Sequence, residues 1–233
     1  DFIAQTDETR PTTRKQRFRA NGKTLLRDNH LRQHAIGLAL VKNFVRQIEE
    51  RLARTDLVLF SDFNYGCLPQ GLVDAIAVRA AERGVMMAAD SQASSQMADI
   101  SRFKRMDLIT PTEREARLAL RDTQAGLAIV ADRLRTAAEA KTVVITLGSE
   151  GMFTLARKSD TYVADRLPAF NTAPKDVAGA GDSLFTTASI AMCAGVDVWQ
   201  SVYLGAVAAA LQVGRVGNAP LSLSDLNREL AAP

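Results

Sequence analysis

Short apolar runs alternate along this chain with longer segments of helical periodicity, and this alternation restricts the fold more than any other feature. The strand-like runs lie at 57–60, 85–89, 108–109 and 143–147. The helical segments between them lie at 70–83, 113–120 and 127–140. Wholly apolar strands are typical of a sheet that is covered on both faces. Strands alternating with helices therefore predict a layered α/β fold with a mostly parallel sheet.

Further elements on both sides extend this pattern. The predicted elements are an amphipathic helix at 36–52, strands at 151–155 and 161–164, and helices at 181–194, 198–213 and 224–230. With 233 residues, of which 47% are hydrophobic, the chain can bury a substantial core. We therefore predict one large domain over residues 34–233.

The first 33 residues differ from the rest of the chain in composition and in hydrophobic pattern. Residues 10–32 contain eight lysines and arginines and one acid, Asp28. Asn21-Gly22 lies between two strand-like runs, and this dipeptide is a strong hairpin signal. A two-residue turn there would pair Phe18 with Leu25 on one face, and Lys15 with Asp28 and Arg17 with Leu26 on the other. We interpret residues 1–33 as a hairpin with a basic flap.

Composition excludes several classes of protein. No apolar stretch approaches the roughly 18 residues that a membrane-spanning helix needs, so we predict no membrane partner. The net charge is only +3 and the basic residues lack interleaved aromatics, so we predict no nucleic-acid partner. Two cysteines are too few for a disulfide scaffold, which favours a reducing, cytoplasmic compartment.

The segment Asp176-Val-Ala-Gly-Ala-Gly-Asp182 precedes a long apolar helix. Its glycines allow the backbone to approach a ligand closely, and the first amides of a helix form an anion site. A carboxylate beside bound phosphate can accept the proton of an attacking hydroxyl. The simpler alternative is a glycine turn in which Asp182 only stabilises the helix start.

This segment resembles the C-terminal signature of the PfkB carbohydrate kinases. The resemblance implies a ribokinase-like three-layer α/β fold with a partial β lid over residues 1–33, and a kinase that uses ATP and Mg²⁺. It also implies that Asp182 is the catalytic base and that the backbone of Gly179, Ala180 and Gly181 forms the anion hole. The expected substrate is a sugar or sugar phosphate.

Two further segments resemble this family. The run Val143-Val-Ile-Thr-Leu-Gly-Ser-Glu-Gly151 resembles its nucleotide-side strand and turn. The resemblance places Thr146, Gly148 and Gly151 near ATP, together with Asp176. The run Thr110-Pro-Thr-Glu-Arg-Glu115 resembles the family's Asn-x-x-Glu motif, in which the glutamate acts on Mg²⁺ through water. A plain capping box with Thr112 as N-cap is the alternative, and both roles are compatible.

The nearest branch is that of the heptose 7-phosphate kinases, on the evidence of Ser61-Asp-Phe-Asn-Tyr-Gly66 and of the tail after Ala208. Such an acceptor already carries a phosphate, which Lys15 and Arg17 would hold. A solvated basic face is the alternative. Lids of this family often pair between subunits, so we also predict a possible homodimer through the hairpin.

The chain departs from the family pattern at three places. Thr112 replaces the usual asparagine, and Asp90-Ser-Gln replaces an Asp-Pro-Lys/Arg-like segment that carries a cation near the phosphates. The family's N-terminal Gly-Gly segment has no counterpart, so we expect further sequence before Asp1; the alternatives are a partner that supplies the missing part and a short paralogue with another role. These departures support a competing hypothesis, a catalytically impaired PfkB-like domain that binds nucleotide or a partner protein. The intact Asp182 motif favours the kinase.

Overall fold

The computed structural model describes residues 3–20, 23–92, 99–217 and 219–231. Within these ranges the strands are β1 (Arg14–Ala20), β2 (Lys23–His30), β3 (Leu57–Asp62), β4 (Met86–Ser91), β5 (Leu108–Ile109), β6 (Thr142–Thr146), β7 (Met152–Lys158) and β8 (Thr161–Leu167). The α-helices are α1 (Leu38–Leu52), α2 (Gln70–Glu82), α3 (Glu113–Leu120), α4 (Leu127–Ala138), α5 (Ala180–Cys193), α6 (Val198–Val213) and α7 (Leu223–Leu230). None of the described helices is long and apolar enough to cross a bilayer.

The central sheet has six strands in the order β3-β4-β5-β6-β7-β8. The pairs from β3 to β6 are parallel, and β7 and β8 continue the sheet antiparallel. The predicted α/β class and the mostly parallel sheet are confirmed. Each predicted strand and helix is present, with ends that differ by no more than three residues.

Alternation of side chains along the strands divides the core into two layers. In β6, Val143 and Ile145 pack with helices α1 to α4, whereas Val144 packs with α5 and α6. Neighbouring side chains of a strand point to opposite faces, so an unbroken apolar strand serves both layers at once. The result is a helix–sheet–helix sandwich in which all three of these valine and isoleucine side chains are completely buried.

The hairpin forms a separate two-stranded sheet, and its predicted register is wrong beyond the turn. Ala20 pairs with Lys23 as a two-residue turn requires, but a bulge after Phe18 shifts the remaining pairs by one residue. Phe18 consequently faces Leu26 instead of Leu25, Lys15 faces Asn29 instead of Asp28, and Arg17 faces Arg27 instead of Leu26. The predicted Asn21-Gly22 turn itself lies outside the described residues.

The chain before the hairpin is anchored to the loop that follows β3. Arg10 pairs with Asp7 at 2.8 Å and donates from Nη1 to the carbonyl of Tyr65 at 2.8 Å. At Gly66 (φ 77°) a Cβ atom would lie 2.1 Å from the carbonyl oxygen of His34. This close approach requires glycine and brings the hairpin strands over the carboxyl end of the sheet.

Candidate active site

A cleft of about 440 Å³ opens where the parallel strands of the sheet end. The strand ends contribute Tyr65 after β3, Asp90 near the end of β4, Thr110 after β5 and Thr146 at the end of β6. Carboxyl ends of parallel strands meet at one edge of a sheet, and ligands of open α/β sheets bind there. The sheet therefore provides the floor of a candidate site.

The hairpin forms a basic wall of this cleft through Lys15, Arg17 and Asn29. The Lys15 ammonium lies 4.3 Å from the ring centre of Phe63 and 5.0 Å from that of Tyr65. Contacts of a cation with aromatic faces stabilise its position without neutralising its charge. The hairpin thus presents basic groups to the cleft.

The glycine-rich turn also lines the cleft, through Val177 and Gly181. Helix α5 begins after Gly179, whose left-handed φ of 80° is readily available only to glycine. The amides of Gly181 and Asp182 have no protein acceptor within the described part of the chain. Such unpaired amides at a helix start carry partial positive charge and can bind an anion.

Asp182 lies in the first turn of α5, is half-buried, and forms no ion pair with any described residue. Its Oδ1 accepts a hydrogen bond of 3.3 Å from Nε2 of Gln92, which itself lines the cleft. Asp182 itself is not among the residues that line the cleft, and neither are Gly179 and Ala180, but the hydrogen bond to Gln92 places its carboxylate at the cleft's edge.

Asp90 is a second carboxylate in the cleft and is only 6% exposed. Burial raises its pKa from 3.8 to about 7, and repulsion from Glu115, Asp182 and Asp62 adds to this rise. A hydrogen bond of 3.0 Å from Thr110 Oγ1 acts in the opposite direction. Desolvation dominates because a buried carboxylate loses its hydration.

Glu115 forms the capping box that the sequence suggested and also lines the cleft. The amide of Thr112 donates to its Oε2 at 2.7 Å, and the Glu115 amide donates to Thr112 Oγ1 at 3.2 Å, so the capping box is confirmed. Both residues also line the cleft. A β-bridge between Thr112 and Thr146 joins the start of α3 to the end of β6. It brings the predicted site residue Thr146 next to the N-cap of the helix that carries Glu115.

Other predicted site residues lie elsewhere. Gly148 and Gly151 flank the tight turn into β7, where a Cβ on Gly151 would lie 2.0 Å from the Leu167 carbonyl oxygen. Asp176 accepts from the amides of Ala178 at 3.2 Å and Gly217 at 3.3 Å. These three residues do not line the cleft described above. The geometry gives them roles in shaping the turns on either side of it.

A second cleft, of about 480 Å³, lies beside α6. Its lining includes Phe170, Tyr203 and Val207, and the two aromatic rings meet edge to face at 5.2 Å. Asn171 fixes the intervening loop by donating to the Ala210 carbonyl at 3.1 Å. Along the chain, this loop leads into the glycine-rich turn.

Sequence reasoning did not include Asp90, Gln92, Thr110 or Tyr65 among the site residues. All of them lie at or just after the ends of β3, β4 and β5. The rule that ligands bind at the carboxyl ends of parallel strands would have selected them. Their polar side chains directly after apolar runs were the available signal.

Comparison with known proteins decides the family. A model of the pfkB family of carbohydrate kinases matches residues 7–225. The chain belongs to this family. The resemblance drawn from the Asp182 motif is confirmed.

Curated relatives include the bifunctional protein HldE of Geobacter metallireducens, which is 29% identical over 224 residues. The bifunctional protein HldE of Desulfatibacillum aliphaticivorans is 29% identical over 228 residues. The alignments cover 94% and 96% of this PfkB-family chain but 44% and 45% of the relatives. The chain therefore spans less than half the length of these proteins.

Solved structures confirm the predicted ribokinase-like fold. Escherichia coli phosphofructokinase-2 in complex with substrates and products superposes with a TM-score of 0.70 at 18% identity, covering 94% of this chain and 69% of that chain. Arabidopsis thaliana ribokinase complexed with ribose and ATP gives 0.67 at 16% identity, covering 89% and 66%. At these identities the likeness concerns the fold alone.

Proposed function

We propose that this PfkB-family chain transfers the γ-phosphoryl group of ATP to a hydroxyl of a sugar phosphate. The observation that carries this proposal is the position of Asp182 beside Gln92 of the cleft, together with the amides of Gly181 and Asp182, which have no protein acceptor among the described residues. Phosphoryl transfer needs an anion site and a nearby proton acceptor, and these two features are adjacent here.

In the proposed reaction Asp182 accepts the proton of the acceptor hydroxyl as its oxygen attacks the γ-phosphorus. A new oxygen–phosphorus bond forms, the bond from the γ-phosphorus to the bridging oxygen breaks, and ADP leaves. The backbone of Gly179, Ala180 and Gly181 stabilises charge on the transferred phosphoryl oxygens. The Gly181 amide has no protein acceptor in the part of the chain that the structure describes, whereas the Ala180 amide donates to the Val177 carbonyl at 3.4 Å and would have to exchange this long bond for the phosphoryl oxygen.

Mg²⁺ fits this site in the manner usual for kinases. Among the described residues, no three histidine, cysteine or acidic side chains are close enough to hold a metal ion alone. Mg²⁺ typically keeps several waters and binds substrate phosphates with one or two carboxylates. Glu115 would hold it through water, and the bound ion would neutralise phosphate charge.

We place the ATP phosphates over the glycine-rich turn and the nucleotide base in the cleft beside α6. Phe170 and Tyr203 provide aromatic contact there, and the loop from Phe170 leads into the turn. On this proposal Thr146 faces the reacting phosphates, because it lines the carboxylate cleft. Gly148, Gly151 and Asp176 act on the nucleotide through the turns that they shape.

The acceptor binds in the cleft between the hairpin and the strand ends. Its existing phosphate would meet Lys15 and Arg17, since both line the cleft opposite its carboxylates. A heptose 7-phosphate satisfies these requirements, having hydroxyls at one end and a phosphate at the other. Resemblance to the heptose 7-phosphate kinases supports this choice of acceptor.

The test is turnover of the Asp182→Asn variant with ATP, Mg²⁺ and a panel of sugars and sugar phosphates. Loss of the base should lower kcat by about 10²–10⁴-fold while ATP affinity stays within about twofold. Asp165→Asn, on the exposed strand β8, is the matched control and should retain full activity. Unchanged turnover in Asp182→Asn would disprove the assignment.

The same experiment separates catalysis from pure binding. The departures at Thr112 and Gln92 favour a domain that binds nucleotide without turning it over. Such a domain would bind ATP with Asp182 intact but release no ADP with any acceptor in the panel. ADP release that depends on a sugar phosphate would exclude it.

A further inference from the structure

We infer that Gln92 is a positioning residue for Asp182, holding one oxygen of its carboxylate so that the other is left for the acceptor hydroxyl. This inference rests on the proposed function, in which Asp182 is the base. The contact that motivates it is the hydrogen bond of 3.3 Å from Gln92 Nε2 to Asp182 Oδ1. Within the described residues it is the only hydrogen bond to that side chain.

Gln92 can hold a neighbour only because its own backbone is held. Its amide donates to the Asp62 carbonyl at 2.8 Å, and its carbonyl accepts from Nδ2 of Asn64 at 2.8 Å. Asn64 Nδ2 also donates to Ser91 Oγ at 3.0 Å. The end of β4 is thus tied to the loop after β3 at two consecutive residues.

That loop is in turn fixed by a buried ion pair. Asp62 is 4% exposed, and its Oδ2 lies 2.7 Å from Nη2 of Arg102. Its Oδ1 accepts from the amide of Asn64 at 2.9 Å, and Arg102 also donates to the Leu68 carbonyl at 3.0 Å. A continuous set of contacts therefore runs from Arg102 to the side chain of Gln92.

The chemical identity of Gln92 matters because a neutral amide and a charged group act differently on a neighbouring carboxylate. A cation beside a carboxylate stabilises its charged form and makes it a weaker base. A neutral amide supplies a directed hydrogen bond without that full charge. Among the described residues, the charged group that interacts with Asp182 is Asp90, which also interacts with Glu115 and Asp62, and Lys15 and Arg17 line the same cleft.

The experiment compares Gln92→Leu, Gln92→Lys and Gln92→Glu with the unaltered protein. Gln92→Leu should lower kcat about tenfold with little change in the KM for ATP or the acceptor. The acidic limb of the kcat–pH profile should move to lower pH in Gln92→Lys and to higher pH in Gln92→Glu. A residue that served only to hold the loop would not move the two limbs in opposite directions.

Two further measurements test the inference in addition to the kcat–pH profiles. The pKa of Asp182, read from the ¹³C shift of its carboxyl carbon, should fall in Gln92→Lys and rise in Gln92→Glu. In the Asp182→Asn background, Gln92→Leu should cause less than a twofold additional loss, because residues that act as a unit are not additive. Gln200→Leu, on an exposed position of α6, is the control for loss of an amide.

The outcomes distinguish this inference from the proposed function. If Asp182→Asn keeps its turnover, the base assignment fails whatever Gln92 does. If Asp182→Asn is inactive but Gln92→Leu keeps kcat within twofold and the ¹³C titration of Asp182 is unchanged in both charged variants, the positioning role is wrong. A rise in acceptor KM with unchanged kcat would also overturn it, since that result would place Gln92 on the substrate.

Discussion

Thr110 donates a hydrogen bond of 3.0 Å from Oγ1 to Oδ1 of Asp90, deep in the cleft at the end of two adjacent parallel strands. This one bond opposes, but does not cancel, the effect of burial on the carboxyl group, whose pKa is raised to about 7. When Asp90 is charged in the folded protein, the free energy of unfolding is lower than it would be without this buried charge. Buried carboxyl groups with raised pKa values are common at functional sites.

We expect Asp90→Asn to stabilise the protein at high pH. The native state binds the Asp90 proton more tightly than the unfolded state, whose pKa is near 3.8. The free energy of unfolding therefore decreases as pH rises from about 4 to above 7, by on the order of 4 kcal/mol for this group. An asparagine avoids this cost and can still accept from Thr110.

The measurement is the Tm of both proteins between pH 4 and pH 8.5. Asp90→Asn should melt several degrees higher at pH 8.5, and the difference should shrink towards pH 4. The exposed Asp160→Asn variant should show no such pH-dependent difference. A gap that stayed constant with pH would contradict the raised pKa.

Glu115 allows its capping role to be separated from its proposed role in Mg²⁺ binding. Glu115→Gln keeps an oxygen for the Thr112 amide, so its stability should stay within about 0.5 kcal/mol of the original. Glu115→Ala removes the carboxylate half of the capping box, while Thr112 Oγ1 can still accept from the amide of residue 115, and should lose about 1 kcal/mol. Both should require more Mg²⁺ for half-maximal activity, measured by titration at fixed ATP. Equal Mg²⁺ requirements in all three proteins would leave Glu115 only its capping role.

Lys15 should distinguish phosphorylated from unphosphorylated acceptors. Lys15→Met removes the charge while keeping a long apolar side chain against Phe63 and Tyr65. We expect the KM for a sugar phosphate to rise about tenfold, with little change for the matching unphosphorylated sugar. Lys158→Met, at the exposed end of β7, is the control. An equal effect on both sugars would argue against phosphate recognition.

The outer face of the hairpin provides the basis for the proposed homodimer. Phe18 and Leu26 face each other across the two strands and are 46% and 58% exposed. A two-stranded hairpin is marginally stable alone, so pairing with a second copy would stabilise it. Leu26→Asp should give a monomer by sedimentation velocity, whereas Leu223→Asp in α7 should not change the mass. A monomeric unaltered protein would disprove this pairing.

Elements whose pattern is local were predictable from the sequence. The apolar runs of β4 and β6 and the helical periodicity of α2 and α4 specify both the element and its burial on two faces. The glycine-rich turn was equally visible, because Gly179 adopts a backbone conformation that few other residues tolerate. The capping box at Thr112 and Glu115 follows from spacing within one helical turn.

The register of the hairpin was not predictable in the same way. A turn dipeptide specifies the first pair, but the bulge after Phe18 shifts every later pair by one residue. Lys15 consequently lies opposite neutral Asn29, and Asp28 instead approaches Arg14 at 3.8 Å. A bulge leaves one residue unpaired in the ladder and increases the local twist of the strands. Whether this twist is favourable depends on the surface that the hairpin packs against.

The layers and the glycine turn that starts α5 could be predicted from the sequence, because each depends on residues close together in the chain. The contact of Gln92 with Asp182, 90 positions later, and the burial of Asp90 near three other acids follow from the folded arrangement alone. The sheet order brings these groups together, and electrostatic effects arise from distance in space and from lost hydration. Neither quantity can be obtained from spacing along the chain.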